Sequence, residues 1–209
     1  MRNLGLLACA ALVMLLQSCV STATMQTGRT VGEGKSSFTT SVGQVGNDTL
    51  RLPFMDLRYT YGITEKLDAS AFLTLLGPGG LGVKYQFLGD GESQTAVSVG
   101  LQFAAIKFSN IFIRDFSIPV YASYHVSEKF AFYGAPRFNL SMFSIENSFD
   151  GSKGAITTFG VGSTFGFKLG GRNSLMMEYS FMKINNLDDN VSELLPMTQF
   201  MIGVGRGIR

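Results

Sequence analysis

The side chains that could do chemistry are few and lie far apart. His125 is the one histidine of the 209 residues, and Ser127 and Glu128 follow it. A base within hydrogen-bond reach of a hydroxyl is the minimum for nucleophilic catalysis. Here the hydropathy alternation puts His125 on a polar strand face and puts Ser127 and Glu128 in a turn. A turn is the better reading, so no catalytic residue is expected. Five acids, Glu146, Asp150, Asp188, Asp189 and Glu193, could approach a divalent cation, but their spacing fits no calcium loop and solvated loops are expected. Gly160, Gly162 and Gly166 alternate as one face of a strand does, and imply no phosphate loop. No metal and no cofactor is expected.

A second group consists of charges placed on the polar faces of strands: Asp56, Arg58, Asp68, Lys84, Arg137 and Glu178. Three are acids and three are bases. A charge enclosed in a narrow lumen has to be paired or hydrated. The expectation is a mutually neutralising network that closes the lumen. The alternative is a polar constriction that passes small solutes. Reconstituted in a bilayer, the two differ in conductance.

Composition points to the kind of element that holds these groups. Charged residues make up 15% of the chain, there are 25 glycines and 18 phenylalanines, and tryptophan is absent. A soluble domain carries about a quarter charged residues. After the first twenty residues no apolar run reaches the roughly 18 residues of a spanning helix. Too little charge for a wetted surface, with no spanning helix, points to membrane strands. The net charge of +2 is scattered along the chain, which excludes a nucleic-acid patch.

The amino terminus reads as an export signal. Arg2 precedes an apolar run from Leu4 to Leu16. The run ends in Leu16-Gln17-Ser18-Cys19, which resembles the lipobox of bacterial lipoproteins. That resemblance implies a signal peptide over 1–18, a palmitate-bearing, acylated Cys19, and an anchor in the membrane. Gln17 departs from the usual small or β-branched residue. The other possibility is ordinary cleavage after Ala23, with Ser21 and Ala23 as the small pair. Residues 19–34, small, polar and glycine-bearing after Cys19, are expected to be a flexible tether.

From residue 35 onward a period of two dominates, the signature of strands with one apolar face. Phe116, Ile118, Val120, Ala122, Tyr124 and Val126 alternate with Ser117, Pro119, Tyr121, Ser123 and His125. Val97, Val99, Leu101 and Phe103 behave alike, as do Leu81, Val83, Tyr85 and Phe87. About ten such runs predict an all-β fold: a closed antiparallel up-and-down transmembrane β-barrel of about ten strands, with eight possible, over residues 35–209. Even-numbered connections are short, around 62–66, 89–93, 127–129 and 170–173. Longer loops are expected at 107–114, 141–154 and 184–196, with 77–80 tight.

The face opposite the apolar one is mostly Gly, Ser, Ala, Thr and Gln. A soluble lipid-binding barrel would place Lys and Glu there, so the apolar face is expected to meet lipid. Aromatics expected to form two interfacial girdles are Tyr61, Phe87, Tyr124, Phe130 and Phe167 at the turn end, and Phe54, Phe103, Phe116, Phe138 and Phe181 at the other.

On the joint Tyr61-Gly62-Ile63-Thr64-Glu65-Lys66-Leu67-Asp68 and the glycine-alternating last strand, the chain resembles the small outer-membrane β-barrel proteins of Gram-negative bacteria. The resemblance implies outer-membrane lipids and the barrel-insertion machinery as partners. Such proteins usually end in an aromatic residue, whereas this sequence ends Gly207-Ile208-Arg209. The function expected is a non-enzymatic scaffold that displays loops above a largely plugged lumen. Alternatives are a narrow solute pore, a lipid A-modifying enzyme (lipid A deacylases resemble His125-Val126-Ser127 in having a His-x-Ser pair), and a tethered periplasmic lipid carrier.

Overall fold

The computed structural model describes residues 24–47, 51–75, 77–146, 153–186 and 195–208. The signal segment and Cys19 lie outside them, as do Asp150, Asp188, Asp189 and Glu193. Ten strands are present among the described residues: β1 (Ser36–Gly46), β2 (Arg51–Thr64), β3 (Leu67–Thr74), β4 (Gly79–Leu88), β5 (Thr95–Phe108), β6 (Ile111–Ser127), β7 (Phe130–Glu146), β8 (Lys153–Leu169), β9 (Asn173–Asn186) and β10 (Leu195–Ile208). Each pairs antiparallel with the next, and β10 closes onto β1 with Val204 opposite Thr40. The sheet therefore has no edge, which satisfies backbone groups that lipid cannot.

The alternation read in the sequence becomes two faces of opposite chemistry. Outward, Val83, Leu101, Ile118, Phe138, Phe165 and Ile202 are exposed. Inward, Gln86, Ser98, Thr164, Glu178 and Gln199 are each at most 2% exposed. A water-soluble protein could not present so continuous an apolar exterior. A carrier holding lipid in its centre would need the faces reversed, so the lipid-carrier alternative fails. On β6 the outward apolar run from Phe116 to Val126 spans eleven positions, the length a tilted strand needs to cross a bilayer.

Several boundaries differ from expectation. The segment 107–114 is a hairpin: β5 runs to Phe108 and β6 starts at Ile111, leaving Ser109 and Asn110 to turn the chain. Ser109 takes a left-handed φ of 52°. The physical reason is that Ile106 pairs with Ile113 and Phe108 with Ile111, so β-branched and aromatic residues carry the ladder past the membrane. In the same way β7 and β8 consume most of 141–154, pairing out to Glu146 and Lys153. The loop expected at 184–196 is also shortened, since β9 runs to Asn186 and β10 begins at Leu195. Strands β6, β7 and β8 have 17 residues each, whereas β3 has 8 and β4 has 10. The wall is thus high on one side and low on the other. Above the apolar belt of the high side, the Arg114 guanidinium sits 4.4 Å from the Phe112 ring centre.

Phe54 does not join a girdle. It has the opposite parity to Met55, Leu57 and Tyr59, and it packs inward against a lumen cluster of Met25, Tyr133, Met176 and Met201.

A cation placed in the middle of the apolar belt tests which face meets lipid. Leu101 pairs with Val83 at mid-belt and is 49% exposed. Leu101→Arg is expected to lower the stability of the barrel in vesicles by about 2–4 kcal/mol. Urea titration of folding into lipid vesicles measures it.

Candidate functional site: the filled lumen

Residues 24–34, expected to be a free tether, run inside the barrel. The chain enters at the turn end, where Gly34 N–H donates to Gly62 O at 3.0 Å and Gly62 N–H donates to Lys35 O at 2.9 Å. It then climbs toward Glu178 in the middle of β9. Along this path its backbone is bound by wall side chains. Val31 N–H donates to the Asp68 carboxylate at 3.1 Å, Thr30 N–H to Gln86 Oε1 at 2.8 Å, and Gly28 N–H to Ser123 Oγ at 3.1 Å. Thr24 N–H reaches Glu178 Oε2 at 3.0 Å and Thr24 Oγ1 reaches Glu178 Oε1 at 2.6 Å, while Met25 N–H also donates to Glu178. In the lumen these small polar residues meet acceptors that would otherwise be buried without partners, at a cost of about 1–3 kcal/mol each.

Fit, as well as hydrogen bonding, holds the segment. A Cβ on Gly28 would lie 2.3 Å from Ala96 O, and one on Gly62 would lie 2.0 Å from Gly32 O. Backbone touches backbone at both points, and only glycine leaves room. Deeper in, Met25 is 4% exposed and fills the space between Tyr133, Met176 and Met201.

The six charges read from the sequence all line this lumen, and they are held in several separate ways. Asp68 and Lys84 pair at 3.1 Å. Lys84 Nζ also donates to Thr27 O at 3.3 Å and Arg29 O at 2.8 Å, so this pair clamps the inserted segment. Arg58 lies 4.6 Å from the Phe72 ring centre and donates to Ser70 Oγ at 3.4 Å. Arg137 donates to Thr164 Oγ1 at 2.5 Å, and Thr164 in turn meets Ser180 at 2.7 Å. Glu178 takes its hydrogen bonds from Thr24 and Met25. Asp56 lines the lumen beside Arg58 and Thr24.

Sequence reasoning passed over two wall charges. Asp115 is 4% exposed and accepts from Asn139 Nδ2 at 3.1 Å. Its parity with Ser117 and Tyr121 was the available signal. Lys168, on β8, lines the turn-end mouth with Arg29. Arg29 itself, on the inserted segment, donates through Nε to Ser93 O at 3.2 Å. Burial holds its guanidinium below the ordinary value, opposed by the charges of Asp90 and Glu128.

His125 faces the lumen. Its Nε2 lies 3.1 Å from Ser123 Oγ, the hydroxyl that also accepts from Gly28. Ser127 instead accepts the Lys129 N–H at 3.3 Å, within the turn. The inserted backbone covers the only hydroxyl that His125 reaches among the described residues. Among those residues no three His, Cys, Asp or Glu side chains are grouped to hold a metal ion.

Little space remains above the segment. Two residual lumen voids, one beside Met25 and Arg58 and one beside Asp115 and Arg137, each offer about 20 Å³, room for a single water. Below it the turn-end mouth opens into a vestibule of about 470 Å³ lined by Arg29, Lys35, Lys84, Lys168, Arg172 and Arg206.

No protein-family model matches the chain, and no curated protein sequence does. Solved structures of similar outline include Neisserial surface protein A (13% identity, TM-score 0.41, covering 82% of this chain and 95% of that one). The NanC porin gives 11% identity and a TM-score of 0.47, covering 80% of this chain and 98% of that one. Ail, the attachment invasion locus protein of Yersinia pestis, gives 14% identity and 0.39, covering 84% and 99%. Likenesses this distant decide nothing about role, and the barrel stands on its own strand pairing.

The clamp has a measurable energy. Lys84→Met leaves Asp68 buried with its charge unpaired, which costs about 3–5 kcal/mol. The double variant with Asp68→Asn is expected to recover part of that loss. Heat-dependent unfolding followed by gel mobility compares the single and double variants.

Proposed function

We propose that this protein is a resident of the Gram-negative outer membrane that acts as a non-enzymatic envelope scaffold, holding its loops above a closed lumen. The observation that carries this reading is the inserted segment 24–34, whose backbone is hydrogen-bonded to Asp68, Gln86, Ser123 and Glu178 across the bore. A barrel built to pass solutes would keep that bore wet, and open aqueous channels need far wider barrels. The apolar belt supports a place among membrane lipids. Short turns on one end and longer extensions on the other match the periplasmic and outer ends of such barrels. In this orientation β6, β7 and β8 raise the Ser109–Asn110 turn and the far ends of β7 and β8 above the membrane surface, away from the low β3–β4 side. Outer-membrane lipids and the barrel-insertion machinery are the partners this reading requires.

Single-channel recording tests it. The intact protein in planar bilayers is expected to give no discrete conductance steps, whereas deletion of residues 24–33 opens the bore and gives them. Steady steps from the intact protein would overturn the scaffold reading in favour of a small-solute pore.

A further inference from the structure

Glu178 is an acid in an unusual position. It is 1% exposed, at the middle of a membrane-crossing strand, and its carboxylate faces the backbone nitrogen of Thr24 at 3.0 Å. A carboxylate so enclosed is stabilised by hydrogen-bond donors and by any positive charge placed beside it. Arg137 is near enough to contribute, but its guanidinium donates to Thr164 Oγ1 at 2.5 Å. The other wall bases are engaged elsewhere: Lys84 pairs with Asp68 at 3.1 Å, Arg58 donates to Ser70 Oγ, and Lys168 lies at the turn-end mouth. The groups that donate directly to Glu178 are those of Thr24 and Met25. A positive charge on the Thr24 nitrogen would face the carboxylate directly.

The sequence offers a source for that charge. Ser21-Thr22-Ala23 precedes Thr24, and Ser21 and Ala23 are the small pair that a signal peptidase reads. We propose that the mature chain begins at Thr24 and that its α-ammonium forms a buried ion pair with Glu178, seating the inserted segment in the barrel. Signal peptidase adds water across the Ala23–Thr24 amide. The C–N bond breaks, Ala23 keeps the new carboxylate, and Thr24 leaves with the nitrogen. That amine, with an ordinary pKa of about 7.7–8.0, takes up a proton and becomes the cation that faces Glu178.

Reach favours this site over acylation at Cys19. Cys19 and Thr24 are five residue steps apart, a reach of at most about 18 Å. Glu178 lies five residues along β9 from the turn end, about 12 Å of barrel height at the usual tilt. An acyl anchor in the surrounding lipid would need the chain to return that depth and then cross the barrel rim. Five residue steps do not cover both with Thr24 seated on Glu178. The inference stands apart from the scaffold reading, since it holds whether or not the lumen conducts.

The test uses protein purified from membranes of cells that express the full chain. Amino-terminal sequencing and intact mass are expected to show Thr24 first and no acyl mass. An acylated Cys19, or any other first residue, overturns the proposal. The pairing itself is read by amine-reactive labelling of the α-amine near neutral pH. Labelling is expected to be roughly tenfold slower or more in the folded protein than in Glu178→Gln, the factor given by one unit of added stabilisation of the ammonium. Equal rates overturn the ion pair. Should Glu178→Gln fail to fold, the folded wild type is compared with the same protein in urea, and again equal rates overturn it.

Discussion

A polypeptide that crosses hydrocarbon has to satisfy every backbone N–H and C=O within itself, and here one closed ring of ten antiparallel strands does so. Everything else in the molecule follows from that closure. Once the sheet has no edge, each strand can differ only in which residues it turns outward and which inward. Phe, Leu, Val and Ile go outward, where lipid solvates them. Gly, Ser, Thr and charges such as Asp68, Lys84, Arg137 and Glu178 go inward, where the bore is too narrow for large side chains from all ten strands at once.

That inversion creates a second requirement. A narrow bore lined with polar groups and no bulk water leaves acceptors without donors. The inserted segment supplies them in the form of backbone amides, at Val31, Thr30, Gly28 and Met25. The same small wall residues that relieve crowding make the room: a Cβ on Gly203 would come within 3.2 Å of Met25 Sδ. The Lys84–Asp68 pair then acts on both sides of the contact, Asp68 accepting from Val31 while Lys84 donates to the carbonyls of Thr27 and Arg29. Wall and segment complete each other's hydrogen bonding, and the lumen is closed by chemistry as well as by size.

The barrel was legible in the sequence because its signal is local. Alternation in 95–103 or 115–126 needs no knowledge of any other strand, and the inward position of Lys84, Arg137 or Glu178 follows from parity alone. The ends of strands were less legible. Ile106, Phe108, Ile111 and Ile113 continue the alternation, but Lys107 and Arg114 among them look like loop residues to a reader counting charge. Phe54 was placed by its type, although its parity with Asp56 already turned it inward. The inserted segment was the least legible part. Its composition is that of a linker, and only the excess of buried acceptors on other strands, brought together by folding, gives it a place to bind. A local reading cannot see a partner assembled from β3, β4, β6 and β9.

The union of wall and segment is tested most directly by hydrogen–deuterium exchange of the Gly28, Thr30 and Val31 amides in the membrane-embedded protein. The account predicts exchange slowed by orders of magnitude, close to that of strand amides such as those of Ser98 and Thr164. Exchange at the rate of a free peptide would mean that these amides meet water instead of Ser123, Gln86 and Asp68, and that the lumen is filled by something else.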